Sequence, residues 1–115
     1  MKNKASIHLV VLIIVITLIA VLVTFLTMIK EPYVDGDLVE CIAKNCILYI
    51  SRTCGHCEEQ LNYFGSSRDN IEVVDCMENP EVCAGVVYSV PTWSCNNIIK
   101  QGVFSINEIK EFARC

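Results

Sequence analysis

The sequence lacks several features that would indicate particular kinds of protein. It has 9 Lys and Arg against 13 Asp and Glu, for a formal net charge of −4, and it has no basic patch of the kind that binds nucleic acid. It has one C-x-x-C pair and no second such pair to complete a structural zinc site. Covalently attached haem needs a His directly after the pair, where Glu58 stands. The sequence thus predicts no nucleic-acid partner, no metal site and no cofactor.

One long segment, residues 9–29, lacks charge, proline and glycine altogether. At about 1.5 Å per residue, a helix of this length spans roughly 30 Å, the thickness of the hydrocarbon core of a bilayer. A cleaved signal peptide is the alternative, but its apolar core usually has about 7–15 residues and ends at a small-residue cleavage site. Residues 27–30 (Thr-Met-Ile-Lys) are not such a site. We therefore expect an uncleaved transmembrane helix over residues 9–29.

The charges on either side of this segment predict its orientation. Lys2 and Lys4 precede it, whereas acidic residues dominate the stretch that follows. Because positively charged flanks stay on the cytoplasmic side, residues 1–8 are expected in the cytoplasm and the remainder outside. The sequence predicts a single-pass membrane protein with an extracytoplasmic domain.

All eight cysteines lie in this outward part, between Cys41 and Cys115. Such a density suits an oxidising compartment, where small cores are commonly stabilised by disulfides. Residues 30–36, with a proline, a glycine and acidic side chains, are expected to form a linker. The domain itself is predicted at residues 37–115.

Periodicity and cap signals predict alternating helices and strands in this domain. The order of elements indicates the α/β class, with a mixed sheet flanked by helices on both faces. The predicted elements are a helix over residues 37–44 capped by Asp37, a strand at 46–50, a helix at 55–66, a strand at 71–75, a short helix from Asn79-Pro80 to near Gly85, two strands at 92–95 and 98–100 joined at Asn96-Asn97, and a last helix that begins with the capping box Ser105-x-x-Glu108.

The residues with the clearest chemistry are in the run Cys54-Gly55-His56-Cys57, between a predicted strand and a predicted helix. A helix start lowers the pKa of the first cysteine of such a motif from about 8.5 to about 3.5–7.5. Cys54 is therefore predicted to be the nucleophile, and Cys57, on the buried helix face, the resolving thiol. A charged His56 would favour the thiolate, and thereby make the disulfide a stronger oxidant.

This run resembles the active-site motif of protein disulfide isomerases, within the thioredoxin superfamily. That family places a cis-proline loop opposite its active-site cysteines, and Val90-Pro91-Thr92 is similar to it in type and position. The resemblance implies that these residues bind substrate, with Pro91 holding its backbone against the disulfide. It also implies a thioredoxin-like fold for the domain.

A second resemblance covers nearly the whole outward domain. Thioredoxin-like domains fused to bacterial and plant homologues of vitamin K epoxide reductase are similar in the order and spacing of their motifs. The matching runs here are Cys54-Gly55-His56-Cys57, Asp75-Cys76, Val82-Cys83 and Pro91-Thr92-Trp93. The resemblance implies a quinone-linked membrane reductase as a partner that reoxidises Cys54–Cys57. Since this chain has one apolar segment of spanning length, that partner would be a separate polypeptide.

The sequence departs from thioredoxins at two positions. Thr53 stands where a Trp usually precedes the first active-site cysteine, and Leu48 where a buried carboxylate often lies on the preceding strand. A proton acceptor for Cys57 is therefore not identified from the sequence.

The other cysteines are assigned less specific roles. Cys76 and Cys83 bracket a short loop and are predicted to form a structural disulfide, with free thiols or an electron-relay pair as alternatives. Cys41, Cys46, Cys95 and Cys115 admit three pairings, among which the sequence does not choose.

The main functional hypothesis is an extracytoplasmic thiol–disulfide oxidoreductase that forms or isomerises disulfides in secreted or membrane proteins. Its partners would be protein thiols and disulfides, together with the membrane reductase. The rival hypothesis is a non-catalytic, disulfide-stapled binding module, or a metal chaperone that uses Cys54 and Cys57 as ligands.

Overall fold

A computed structural model describes residues 2–28 and 34–115 of the chain. The chain divides into two compact units, the first containing the N-terminal helix and the second all other described elements. Ile29, the last residue of the predicted transmembrane helix, and residues 30–33 of the predicted linker lie outside the described residues.

The first unit is α1 (Lys2–Met28), a helix of 27 residues. It begins before the apolar segment, so most of the predicted cytoplasmic stretch is helical as well. Its apolar side chains are exposed, and the hydroxyls of Thr17 and Thr24 donate to backbone carbonyls three residues earlier, at 2.8 Å in both cases. Among the described residues it is the one helix long and apolar enough to cross a membrane, a test that a signal sequence also passes. The anchor and its orientation stay predictions.

The second unit alternates helices and strands in the predicted order. Its elements are α2 (Gly36–Asn45), β1 (Cys46–Ile50), α3 (Gly55–Asn62), a 3₁₀ helix (Gly65–Asn70), β2 (Val73–Asp75), α4 (Pro80–Cys83), β3 (Thr92–Cys95), β4 (Ile98–Gln101) and α5 (Ile106–Ala113).

The four strands form one sheet in the order β2-β1-β3-β4. β1 and β2 are parallel, with Leu48 opposite Val73. β3 is antiparallel to β1 and to β4, with Trp93 opposite Leu48 on one side and Lys100 on the other. The α/β class and the mixed sheet are therefore confirmed at this level. Coverage of both faces by helices stays a prediction.

The turn between β3 and β4 lies at Asn96 and Asn97, as predicted. Both residues have positive φ, at 50° and 66°, and Cys95 pairs with Ile98 across the two-residue loop. Two positive φ angles are what a type I′ hairpin turn requires, and Asn adopts them more readily than most side chains.

The start of α2 differs from the prediction. Asp35, and not Asp37, is the N-cap, because its carboxylate accepts the backbone N–H of Asp37 at 3.3 Å. The helix therefore begins at Gly36, the last residue of the predicted linker.

The prediction of one helix over residues 55–66 is also wrong. α3 ends at Asn62, and the chain then forms the 3₁₀ helix, whose first residue, Gly65, has a φ of 51°. A left-handed residue does not continue an α-helix, and glycine adopts that conformation without a Cβ clash. The following strand is shortened to Val73–Asp75.

The core lies against the face of the sheet that carries Leu48 and Trp93, both fully buried. Ile42 of α2 and Ile109 of α5 belong to the same cluster, as does Phe64, whose ring centroid lies 6.0 Å from that of Trp93. Ser105 and Glu108 form the predicted capping box at the start of α5, which directs the apolar face of this helix to the core. This packing holds β1 and β3 in place, and the candidate site lies at one end of these strands.

Candidate functional site: a disulfide at the start of α3

Cys54 is the N-cap of α3, four residues after the end of β1. Its backbone N–H donates to the Ser51 carbonyl oxygen at 3.0 Å, which closes the turn between strand and helix. Its Sγ accepts the backbone N–H of Cys57 at 3.2 Å. Cys54 and Cys57 are disulfide-bonded. The first sulfur of the motif thus occupies the position at which side chains normally accept the free N–H groups of a helix start.

The two cysteines differ in burial. Cys57 is 2% exposed and lies on the face of α3 that also buries Leu61. Cys54 is partly exposed. A molecule approaching this disulfide from solvent therefore meets the Cys54 sulfur first.

The Val90-Pro91 segment, which was predicted to lie opposite the active-site cysteines, is in contact with Cys54 in the structure. The Val90–Pro91 peptide bond is cis, and the Val90 carbonyl oxygen lies 3.7 Å from Cys54 Sγ. The Pro91 carbonyl oxygen accepts the backbone N–H of Gly102 at 2.9 Å. Gly102 has a φ of 120°, a conformation that side chains strongly disfavour, so this contact between the loop and the end of β4 depends on glycine.

Thr92 is placed differently from its neighbours. It is fully buried at the start of β3, and its hydroxyl donates to the Ser89 carbonyl oxygen. Thr92 therefore shapes the proline loop from the inside, and its contact with substrate stays a prediction.

A groove of about 620 Å³ runs along this loop. On one side it is bounded by side chains of α3, and on the other by the proline loop and the segment after β4. The lining residues are His56, Glu59, Ser89, Val90, Pro91, Gln101, Gly102 and Val103. The groove is large enough for several residues of an extended polypeptide.

His56 lies on the solvent side of α3, with 80% of its side chain exposed. Its Nδ1 is 3.3 Å from Glu59 Oε2. Glu59 Oε1 accepts the Tyr63 hydroxyl at 3.4 Å. The two ionisable groups of the groove are therefore adjacent to each other.

Glu58, the other acidic residue of the motif helix, is directed elsewhere. Both of its oxygens accept from the Arg68 guanidinium, at 2.7 and 3.1 Å. This hydrogen-bonded pair lowers the pKa of Glu58 below its usual range. Glu58 thus has its own cationic partner, and Glu59 does not share it.

Gln60 is a residue of this region that sequence reasoning did not identify. It is fully buried, and its Oε1 accepts both Trp93 Nε1–H at 3.2 Å and the Phe104 backbone N–H at 2.7 Å. Its Nε2 donates to the Phe104 carbonyl oxygen at 3.0 Å. Gln60 therefore ties α3 to β3 and to the segment before α5. The sequence signal that could have identified Gln60 is a polar residue three positions after Cys57, on the buried face of α3.

Arg52 is a second such residue. Its Nε donates to Asp75 Oδ2 at 3.0 Å, and its guanidinium also forms an ion pair with Glu78. Cys76, the residue that follows β2, donates its backbone N–H to the Ile50 carbonyl oxygen at 2.9 Å. The turn before Cys54 is thus joined to the loop that starts at Cys76.

All eight cysteines are disulfide-bonded. Cys76 is bonded to Cys83, and a structural rather than a relay role for this bond stays a prediction. The three pairings left open by the sequence are reduced to one, because Cys46 is bonded to Cys95 and Cys41 to Cys115.

In the described part of the chain, no group of three or more His, Cys, Asp and Glu side chains is placed to hold a metal ion. No known protein-family model matches this sequence, and no curated protein is significantly similar to it.

Proposed function

We propose that this chain is a membrane-anchored thiol–disulfide oxidoreductase of thioredoxin-like fold, acting on protein thiols outside the cytoplasm. The observation that carries the proposal is the Cys54–Cys57 disulfide at the start of α3, with Cys54 Sγ 3.7 Å from the Val90 carbonyl oxygen of the proline loop. A structural cross-link would not need a partly exposed cysteine beside an open groove. A sulfur that exchanges with substrates needs both.

The chemistry follows from the difference in burial. A substrate thiolate attacks Cys54 Sγ, the Cys54–Cys57 bond breaks, and Cys57 leaves as a thiolate. A second substrate thiolate then attacks the substrate sulfur of the mixed disulfide and releases Cys54. Two electrons pass from the two substrate thiols to the two cysteines, and the two substrate protons pass to solvent or to the released thiolates.

The local backbone supports Cys54 as the sulfur that leaves when the mixed disulfide is resolved. In the reverse direction, Cys54 is the sulfur that attacks. The Cys57 N–H already points at Cys54 Sγ, and helix N-termini stabilise thiolates by such donors and by the helix dipole. In the reduced protein we expect the Cys54 thiol to have the lower pKa of the pair. A stabilised reduced form favours oxidation or shuffling of substrates over their reduction.

Net oxidation of substrates needs an electron acceptor for the reduced pair. We propose a quinone-linked membrane reductase related to vitamin K epoxide reductase, on a separate polypeptide. The support is the order of Cys54-Gly55-His56-Cys57, Asp75-Cys76, Val82-Cys83 and Pro91-Thr92-Trp93 along the chain, together with α1, which is long enough to enter the same bilayer.

The proposal is tested by trapping mixed disulfides in cells. Cys57→Ser removes the resolving thiol, so Cys54 should remain in mixed disulfides that survive non-reducing gels. Cys54→Ser should leave almost none, and both variants should lose turnover. In the reduced wild-type protein, a small alkylating reagent at mildly acidic pH should label Cys54 before Cys57.

Equal trapping through both cysteines would show that Cys54 is not the nucleophile. Absence of adducts in both variants, with no preferential alkylation of Cys54, would instead favour a non-catalytic binding module.

The proposed topology has its own test. Protease added to spheroplasts should digest the domain that begins at α2, because Lys2 and Lys4 keep the N-terminus in the cytoplasm. An epitope placed before α1 should stay protected until the membrane is broken. Protection of the domain itself would reverse the orientation and place the active disulfide in the cytoplasm.

A further inference from the structure

The groove beside Pro91 carries a charge that disulfide exchange does not itself require. Of its eight lining residues, His56 and Glu59 have ionisable side chains, and no Lys or Arg is among them. Glu59 is half exposed, and its carboxylate is held by the Tyr63 hydroxyl and faces His56. A carboxylate in this setting can accept a cation from a bound segment.

The basic side chains of Lys100 and Arg68 are engaged by groups other than Glu59. Lys100 precedes Gln101 on β4, and successive side chains of a strand point to opposite faces. Gln101 lines the groove, whereas Lys100 Nζ lies 5.0 Å from the centroid of the Phe112 ring. Arg68 is held by Glu58. Among the described residues, no Lys or Arg forms an ion pair with Glu59.

We infer that Glu59 is a specificity-determining residue, and that the groove selects cysteine-containing segments in which a Lys or Arg lies close to the reactive cysteine. This inference rests on the proposed function. A Lys or Arg stem would lie along the apolar surface of Val90, Pro91 and Val103, as such stems commonly do, with its charged end at Glu59.

The spacing between Cys54 and Glu59 fits a substrate in which the reactive cysteine and the basic residue are close together. Glu59 follows Cys54 by five residues, about 7.5 Å of rise along a helix. In an extended segment, a residue two positions from the cysteine lies about 6.6 Å away along the chain. A long basic side chain at that position can therefore reach Glu59 while the substrate sulfur meets Cys54.

The experiment compares dithiol peptides that differ only near the reactive cysteine. The full-length oxidised chain in detergent micelles is mixed with peptides carrying Lys, Ala or Glu two positions before and two positions after that cysteine. The single-turnover rate of peptide oxidation is measured for the wild type and for Glu59→Gln, Glu59→Lys and Glu58→Gln. Glu58→Gln is the matched control, because Glu58 is adjacent in sequence but lies outside the groove.

The wild type should oxidise the Lys peptide about two- to fivefold faster than the Ala peptide, which is the size of effect expected from one solvent-exposed charge pair. It should oxidise the Glu peptide more slowly than the Ala peptide. Glu59→Gln should bring the three rates together, Glu59→Lys should reverse their order, and Glu58→Gln should keep the wild-type order. High salt should weaken the preference.

Equal rates for all three peptides with the wild type would overturn the inference and leave the oxidoreductase proposal standing. A preference that survives Glu59→Gln, or disappears in Glu58→Gln, would overturn the role of Glu59. Failure of the wild type to oxidise any peptide would overturn the proposed function and the inference together.

Discussion

The two ends of β1 differ in how they are joined to β3. At one end, Cys46 is the register partner of Cys95, and the two nearly inaccessible sulfurs are bonded to each other. At the other end, Tyr49 pairs with Thr92, and the chain beyond it leads to the partly exposed Cys54 opposite the cis-proline. One end of the strand pair is closed by a buried covalent bond, and the other opens to a groove.

The lengths of chain that the two disulfides enclose differ as much as their exposure. Cys46 and Cys95 are 49 residues apart, whereas Cys54 and Cys57 are 3 apart. Because the stabilisation from a cross-link grows with loop length, the closed end constrains the unfolded chain far more. Under the proposed function, the bond that would open and close in each cycle is thus placed where its loss costs the fold least. This difference between the closed and the open end can be tested.

The largest expected effect is at the closed end. Replacing Cys46 and Cys95 by Ala should lower the free energy of unfolding by about 4 kcal/mol, since a 49-residue loop is no longer closed. Urea unfolding of the oxidised protein measures this value. Cys54→Ser with Cys57→Ser is the matched control, and it should cost less than half as much. Similar losses in the two double variants would break the comparison.

A smaller effect is expected from the disulfide next to the open end. Replacing Cys76 and Cys83 by Ser removes a cross-link between residues 7 apart, which contributes about 2.5 kcal/mol to the free energy of unfolding. The double variant should have a lower melting temperature but keep its turnover. In the wild type this bond should resist reductants that already open Cys54–Cys57, which mass mapping of alkylated cysteines would show. If the variant folds but loses turnover, the Cys76–Cys83 pair is an electron relay, and disulfide exchange at the open end is not confined to Cys54–Cys57.

The smallest effect concerns the charge pair on the motif helix. The hydrogen bonds from Arg68 lower the pKa of Glu58 in the folded protein. The contribution of Glu58 to stability is therefore present above its unfolded pKa and lost as the pH falls through its lower folded pKa. In Arg68→Met, the pKa of Glu58 should rise towards its usual value of 4.5, as NMR titration of the carboxyl carbon would show. An unchanged pKa would indicate that the pair does not persist in solution.

Local signals predicted much of this molecule. The five residues of β1, the Asn96-Asn97 turn and the capping box of α5 depend on side chains close in sequence, and the structure confirms them. The helix start after Cys54 was predicted for the same reason. The boundaries of α2 and α3 were wrong where two short-range signals competed, as with Asp35 and Asp37 at the start of α2.

The residues missed around the site have long-range partners. Gln60 reaches Trp93 and Phe104, 33 and 44 residues later, and Arg52 reaches Asp75 after 23 residues. A single sequence contains no sign of such contacts beyond an unexpected polar side chain on an apolar face. Burial made Gln60 a hydrogen-bonding centre, because its amide had to find partners away from water.

By itself, the sequence determined the apolar length of α1, the position of Cys54 at a strand-to-helix junction and the presence of Pro91 before a strand, since each depends on neighbouring residues. Tertiary structure alone decided that Cys46 bonds Cys95 and Cys41 bonds Cys115. It also decided that Glu59 rather than Glu58 faces the groove. The physical reason is that strand register and helix packing bring together atoms far apart along the chain, and no local preference encodes which of them will meet.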